Sequence, residues 1–329
     1  MKQEEKKRRF ARGWCLGLVF LLLLALAVGC TPQEETNQGG RDDLLKDLAS
    51  QEPQNFVVAF FPDQASDNLI PLSYHVNETT DGIALAVEKI LAGPPNQMVK
   101  AVLPEGIKLQ DLFLEEEQIE LYLQGEAPLQ AAEVDFAALA ATIYYGIYQQ
   151  GAMDGRPLMV YYNDQPLLET PYEAAYVNDY SDGAEQGEYV LYSDSQAMYL
   201  VPVRLACEET EGEAFYQELL EHWAAEPPRD SGLYPVTPEG TEVLGCSLAD
   251  GCLTVNLNEA VVSYGGGSAQ ETLLIDSLLA LLRPYDEVQT VQLLVEGEKV
   301  NYLPEGTDIG AALTVPHEFG LLNKITESK

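Results

Sequence analysis

The chain is poor in the residues that carry most site chemistry. Its 329 residues include three histidines, His75, His222 and His317, and five cysteines. These are too few and too scattered for a rich metal centre. Basic residues are scarce as well: 18 Lys+Arg stand against 53 Asp+Glu, a formal charge of -35. That deficit excludes nucleic acid as a partner, because a phosphate backbone is neutralised by Lys and Arg. What the chain does have is apolar material, 46% of its residues, enough for real cores and against disorder of the whole. Its length leaves room for two domains.

The N-terminus has the layout of an address. Six basic residues (Lys2, Lys6, Lys7, Arg8, Arg9, Arg12) precede an apolar run over 15–29. The run is short for a membrane span, which takes ~20 residues, and it fits a bacterial secretion signal. It ends in Leu26-Ala27-Val28-Gly29-Cys30, which resembles a lipoprotein box. That resemblance implies cleavage before Cys30 and a lipid on its thiol; the alternative is an uncleaved signal anchor with the body on the same side of the membrane. Two acyl chains, at ~0.8 kcal/mol per buried CH₂, suffice for stable anchoring. Without residues 1–29 the chain carries 12 basic and 51 acidic residues, a charge of -39. Anionic lipid surfaces repel such a body. The polar segment 30–53 is expected to be a tether holding it off the membrane.

The body contains one pattern twice. Phe56–Phe61 followed by Leu69-Ile70-Pro71-Leu72 is matched by Tyr189–Tyr192 followed by Leu200-Val201-Pro202-Val203. Each predicts a strand, a polar turn and a second strand whose Pro belongs at an edge or strand start. A helix follows in each copy. In the first, Ile83, Val87, Ile90 and Leu91 share a face and Gly93 supplies the stop. In the second, Thr210-x-x-Glu213 has the form of a capping box ahead of the stripe Phe215, Leu219, Leu220, Trp223. From Pro104-Glu105-Gly106 and Pro238-Glu239-Gly240 onward the copies align without a gap at an offset of 134 as far as Leu123 and Leu257. Asp250-Gly251 predicts a two-residue hairpin turn, with Glu116-Glu117 in the same place. Ile119, Leu121 and Leu123 match Leu253, Val255 and Leu257, the alternation of strands with one buried face. A second helix (about Glu133–Tyr148; Ser268–Leu282, with Ser268-x-x-Glu271 as a capping box) and a strand (Leu158–Tyr162; Val291–Val295) close each copy.

The fold class is therefore α+β: two tandem small domains, 54–168 and 187–306, each roughly ββαββαβ with room for one more short strand. An acidic linker, 169–186, joins them. A tail, 307–329, either docks on the second domain or stays loose.

Together these segments resemble the GerMN domain family, found in tandem in GerM-like sporulation and germination lipoproteins. In the first domain the resemblance rests on Phe60-Phe61-Pro62, Leu91-Ala92-Gly93-Pro94-Pro95 and Leu103-Pro104-Glu105-Gly106. In the second it rests on Leu200–Arg204, Pro238-Glu239-Gly240, Val255-Asn256-Leu257 and Val291–Gly297. The departures are Glu226-Pro227-Pro228 where Gly-Pro is expected, Tyr162-Asn163-Asp164 for Val-Asp-Gly, and Ser73-Tyr74 where an Arg is frequent. Membership implies a small α+β fold similar to ring-building domains of secretion-like complexes. It also implies a role outside the cytoplasmic membrane during spore formation, including the space around the forespore. The family offers no catalytic residues to carry over.

No other chemistry is legible. Cys246 is expected on the buried face with Leu244, Leu248, Leu253, Val255 and Leu257, and Cys252 on the opposite face with Thr254 and Asn256. A 246–252 disulfide is therefore not expected, and pairing of Cys207 with Cys252 stays open. Tyr264-Gly265-Gly266-Gly267-Ser268 lacks the Lys of a phosphate loop and is expected to be a flexible connection. Asn178–Gly183 has the form of a calcium-loop start, but Tyr180 stands at a ligand position and the terminal Glu is missing. A solvated linker is expected there, with weak, diffuse calcium binding left open. None of the three histidines adjoins a Cys or Ser in a nucleophile turn. The expectation is a non-enzymatic scaffold without cofactor or metal, on the membrane through Cys30, contacting protein partners. Exposed strand edges and the aromatic turns at Phe61 and Tyr192 are the candidate contacts. A glycan- or small-molecule-binding lipoprotein using the interdomain cleft is the runner-up.

Overall fold

Each copy of the repeat folds as a hairpin, a helix, a second hairpin, and a helix that crosses over to a parallel strand. The computed structural model describes residues 56–76, 82–129, 134–148, 156–173, 176–209, 211–265, 267–316 and 322–325. The expected signal, tether and Cys30, as well as His317, lie outside them. All described residues belong to one body spanning Glu52–Lys329.

In the first copy β1 (Phe56–Pro62) and β2 (Leu69–His75) are antiparallel, Phe61 facing Ile70. α1 (Gly82–Leu91) ends at Gly93, whose φ of 87° suits a residue without Cβ. β3 (Lys108–Leu114) and β4 (Ile119–Gln124) form the second hairpin. α2 (Phe136–Tyr148) leads to β5 (Leu158–Tyr162), parallel to β4, and β6 (Gln165–Pro166) folds back on it. The second copy repeats this as β7 (Gly187–Ser193), β8 (Leu200–Ala206), α3 (Gly212–Ala224), β9 (Val243–Ala249), β10 (Cys252–Leu257), a 3₁₀ turn (Glu259–Val262), α4 (Gly267–Leu282) and β11 (Thr290–Val295). The order ββαββαβ is the one expected, with β6 as the extra short strand. β12 (Leu313–Thr314) then pairs with β11, while β13 (Lys324–Ile325) pairs with β2 of the first copy. The tail thus reaches both domains.

The gapless offset of 134 extends to a structural irregularity. The β3–β4 register skips Gln110, between Leu109↔Leu123 and Asp111↔Tyr122. The β9–β10 register skips Leu244, between Val243↔Leu257 and Gly245↔Asn256. Each bulge sits on an edge strand, where the bend discourages pairing with another chain. It also corrects one expectation. Leu244, expected on the buried face, is 46% exposed because it is the extra residue. Cys246 does lie opposite Val255, half-buried at the edge. Cys252 lies opposite Ala249 with its side chain on the other face, and Cys207, Cys246 and Cys252 are free thiols.

The cores follow the expected alternation. Ile119, Leu121, Leu123 and Leu253, Val255, Leu257 are all buried. Phe215, Leu219, Leu220 and Trp223 are buried on α3, and the Trp223 indole donates to Ser277 Oγ of α4 at 2.8 Å. The helix starts differ from expectation. The α3 cap is Glu211, with no side-chain cap bond; Thr210 of the expected box lies outside the described residues. Glu271 does not turn back on Ser268. It is buried and accepts the backbone N–H groups of Glu305 and Thr307, so it fastens α4 to the segment that follows β11. The nearby amides outcompeted the helix's own first turn.

Candidate interaction site

The two expected aromatic contacts are in the core. Phe61 is 0% and Tyr192 1% exposed. β1 is buried at six of its seven positions, on both faces, so an aromatic there is structural. Tyr192 additionally donates its hydroxyl to His222 O of α3 at 2.9 Å. Neither can meet a partner.

The first hairpins of the two copies meet through β2 and β8, and here the prolines matter. Pro71 and Pro202 have no N–H to donate across a ladder. Two asparagine side chains take over. Asn178 Oδ1 accepts Leu69 N–H, and its amide donates to Leu69 O and Pro202 O, each at 2.8 Å. Asn323 mirrors it. Its Oδ1 accepts Leu200 N–H, and its amide donates to Leu200 O and Pro71 O, each at 2.8 Å. Both residues are left-handed, at φ 46° and 53°, a conformation Asn tolerates better than most. Their own carbonyls accept from Arg204 N and Ser73 N. The joint therefore has near two-fold symmetry, one staple from the linker and one from the tail.

Asn178 belongs to the segment expected to be solvated. It is built in instead: Val177 and Ser181 are buried, and Arg204 explains why. This buried guanidinium donates to Asp179 Oδ1 (3.2 Å), Ser181 Oγ, Ala184 O and Glu185 O (both 3.1 Å), and its Cζ stands 3.8 Å from the Tyr176 ring centroid. Gly187 makes room, since a Cβ there would lie 2.9 Å from Arg204 Cζ. Burial opposes the charge on Asp179, but bonds from Ser181 and Arg204 outweigh it and hold this carboxyl below its usual range. Ser73 fills the matching place in the first copy and donates to Leu322 O at 2.7 Å.

The outer faces of the two four-stranded sheets differ. In the first copy the side opposite the core carries one aligned row, Asp111, Tyr122, Tyr161 and Pro166, and another, Phe113, Glu120 and Met159. Tyr122 stacks on Tyr161 (4.5 Å, 7°) and meets Phe113 edge-on (5.7 Å, 82°). Glu120 is held in this frame by Gln118 Nε2 (2.6 Å) and by Tyr122 OH (3.0 Å). That bond to Glu120 is the main reason the Tyr122 hydroxyl is pushed up to about 12, so it remains a donor. The second copy presents Ser247, Thr254 and Gln292 in the row of Phe113, Glu120 and Met159, and Asn256 and Leu294 at the places of Tyr122 and Tyr161. Gln292 is itself covered, bonded to Lys299 Nζ (2.9 Å) and near Ile309 O (3.4 Å). A groove of about 390 Å³ is lined by residues of the second copy, Asp194, Tyr234, Glu239, Tyr264 and Gln270 among others.

Among the described residues, the cysteines and histidines are held in packing contacts. Cys207 lies 3.2 Å from Glu218 Oε2; burial first, and that carboxylate second, push its thiol up to about 12. Burial likewise raises Cys246, to about 11. A raised thiol stays protonated near neutral pH, and the thiolate is the nucleophilic form. His75 packs edge-on against Phe56, and His222 Nε2 lies 3.8 Å from Glu218. Among the described residues no group of three or more His, Cys, Asp or Glu is placed to hold a metal ion, and no helix is long and apolar enough to cross a membrane.

Fold and surfaces together define a tandem-domain protein whose two α+β repeats are fused through a stapled joint. Residues 184–301 match the family Germane, described as sporulation and spore germination. The tandem GerMN domains of the sporulation protein GerM from Bacillus subtilis superimpose with a TM-score of 0.51 at 16% identity, over 80% of this chain and 99% of that one. A putative lipoprotein from Clostridium perfringens (18% identity, 39% of this chain and 85% of that chain, TM-score 0.29) and the first GerMN domain of the same Bacillus subtilis protein (19%, 39% and 96%, 0.33) also match. No curated protein matches the chain. The family match thus falls within the second repeat, and the likeness to the tandem GerMN structure is one of fold.

Proposed function

We propose that this protein is an extracytoplasmic assembly lipoprotein, anchored through Cys30, acting in sporulation or germination by protein contacts of its paired domains. The stapled joint carries this reading. Asn178 and Asn323 fix the two repeats against each other, so the chain presents two unlike sheet faces at one set spacing, as a scaffold requires. Among the described residues, Cys207, Cys246, His75 and His222 sit in packing and hydrogen-bonded contacts, which supports a non-enzymatic role. The excess of carboxylates favours a basic partner surface and makes association salt-sensitive. The glycan-binding alternative needed a cleft between the domains; the groove is lined by the second copy alone and lends that reading nothing.

Crosslinking and co-purification of the full-length chain, sampled through growth and sporulation, test this. A membrane-associated protein assembly recovered during sporulation is expected. Normal abundance with no partner at any stage overturns it. Cys30→Ser is expected to shift the chain from the membrane to the soluble fraction, and unchanged membrane retention would refute the lipid anchor.

A further inference from the structure

The outer sheet face of the first domain has the makings of a recognition surface. Phe113 is 45% exposed at the edge strand, beside the Tyr122–Tyr161 stack. Aromatic residues of this kind are enriched where proteins meet. Within the rows sits Glu120, whose two oxygens each accept one intramolecular bond. A carboxylate offers about four acceptor sites, so roughly half of its capacity is unused. Exposed Asp111 and the turn Glu115-Glu116-Glu117 border the same face. The basic groups nearby are few: Lys108 on the same strand, and Arg156, which donates to Glu115 O at 2.7 Å. The surface is apolar and aromatic with a fixed anion in it.

We infer that this face, Phe113, Glu120, Tyr122, Met159 and Tyr161, docks a basic segment of a partner protein, a Lys or Arg seated on Glu120 with apolar neighbours against the rings. The inference rests on the scaffold reading and names the surface and the chemistry it uses. Charge complementarity selects the occupant. A cation gains from the Glu120 carboxylate and from the exposed faces of the rings around it. A second copy of this chain brings the same carboxylates and is repelled, and anionic lipid is repelled for the same reason. A neutral sugar brings no charge to meet the Glu120 carboxylate.

The test is photo-crosslinking in sporulating cells, with a photoreactive phenylalanine analogue replacing Phe113 or, separately, Tyr302, which is 60% exposed on the second domain. The expected result is an adduct at 113 whose partner peptide, sequenced by mass spectrometry, carries Lys or Arg within a few residues of the crosslink. Glu120→Lys should then cut adduct yield roughly tenfold or more, as reversing one charge of a close pair does, with Glu120→Gln intermediate. Equal thermal melting of both variants and the parent separates lost contact from lost fold. An adduct at 113 to a glycan, a lipid or another copy of this chain overturns the inference, as does an adduct indifferent to Glu120→Lys. Protein adducts at 302 but none at 113 overturn it and leave the scaffold reading standing. No protein adducts at either position, together with no partner in co-purification, remove both.

Discussion

The two repeats share a topology down to an equivalent bulge, yet they are braced by different chemistry. The second is fastened by charge: Arg204 gathers the linker, and Glu271 gathers the segment after β11. At the place of Arg204 the first has Ser73; its outer sheet face carries stacked Tyr122 and Tyr161 where the second has Asn256 and Leu294, and Phe113, Glu120 and Met159 where the second has Ser247, Thr254 and a covered Gln292. One repeat has committed its polar groups to holding neighbouring segments; the other has left its sheet open. A duplicated fold can thus divide its work without changing its backbone, because the core face of each strand fixes the fold and the other face is free to vary.

The joint is where this contrast is most open to refutation. Arg204→Met removes a buried cation and strands the carbonyls of Ala184 and Glu185, so a loss of about 3 kcal/mol is expected in urea unfolding, against about 1 for Ser73→Ala. Equal losses would show that the repeats are braced alike. Next come the staples. Asn178→Ala and Asn323→Ala each delete three hydrogen bonds and a residue suited to positive φ, for about 2 kcal/mol each. Near two-fold symmetry requires the two losses to agree within about 1 kcal/mol, and a negligible loss at Asn323 would mean the tail is not a structural partner.

Acid should separate the domains more gently. Asp179, Glu218, Glu271 and Glu287 are all held below their ordinary range. For the first three, burial pulls upward and hydrogen bonds outweigh it; for Glu287 the Tyr216 hydroxyl is the main cause. Depressed carboxyls stabilise fully above their unfolded values and lose that contribution as pH falls through the folded ones. Destabilisation should therefore begin below about pH 4.5. Asp276, raised by burial, works in the opposite direction and offsets part of this. All four depressed groups lie in or against the second domain. In the chain without residues 1–29, Trp223 is the single tryptophan and sits in that domain's core. Its fluorescence should respond to acid before amide exchange accelerates in β4 and β5, and the reverse order would contradict the assignment.

Much of this architecture is legible in the sequence, for identifiable reasons. The offset of 134 carries strands, turns and even the bulges at Gln110 and Leu244, because a gapless alignment preserves register whether or not the irregularity is recognised. Face assignment fails at Leu244 because strict alternation has no place for an extra residue. Phe61 and Tyr192 are core rather than contact residues, which a strand buried on both faces, having no alternation to interpret, does not disclose. The staples are invisible in the sequence: Asn178 and Asn323 stand 145 apart, outside the register of either hairpin, and a lone asparagine has no signature. Their partners are 109 and 123 residues distant in sequence. The outer face of the first domain is on view in Glu120, Tyr122, Met159 and Tyr161, but the same alternation that marks their neighbours as core leaves their own purpose open.

The crossing of the tail sets an order of events for a growing chain. Asn323 and β13 complete the sheet that Phe56 begins, and Lys324 Nζ comes to rest 6.0 Å from the Phe56 ring. A chain that emerges N-terminus first makes its earliest strands the last to be finished. Until Asn323 and β13 arrive, β2 waits with an open side and Pro71 O without its amide. A chain interrupted before Asn323 therefore betrays itself at the first domain, because the closing stitch is made more than two hundred residues after the strand it secures.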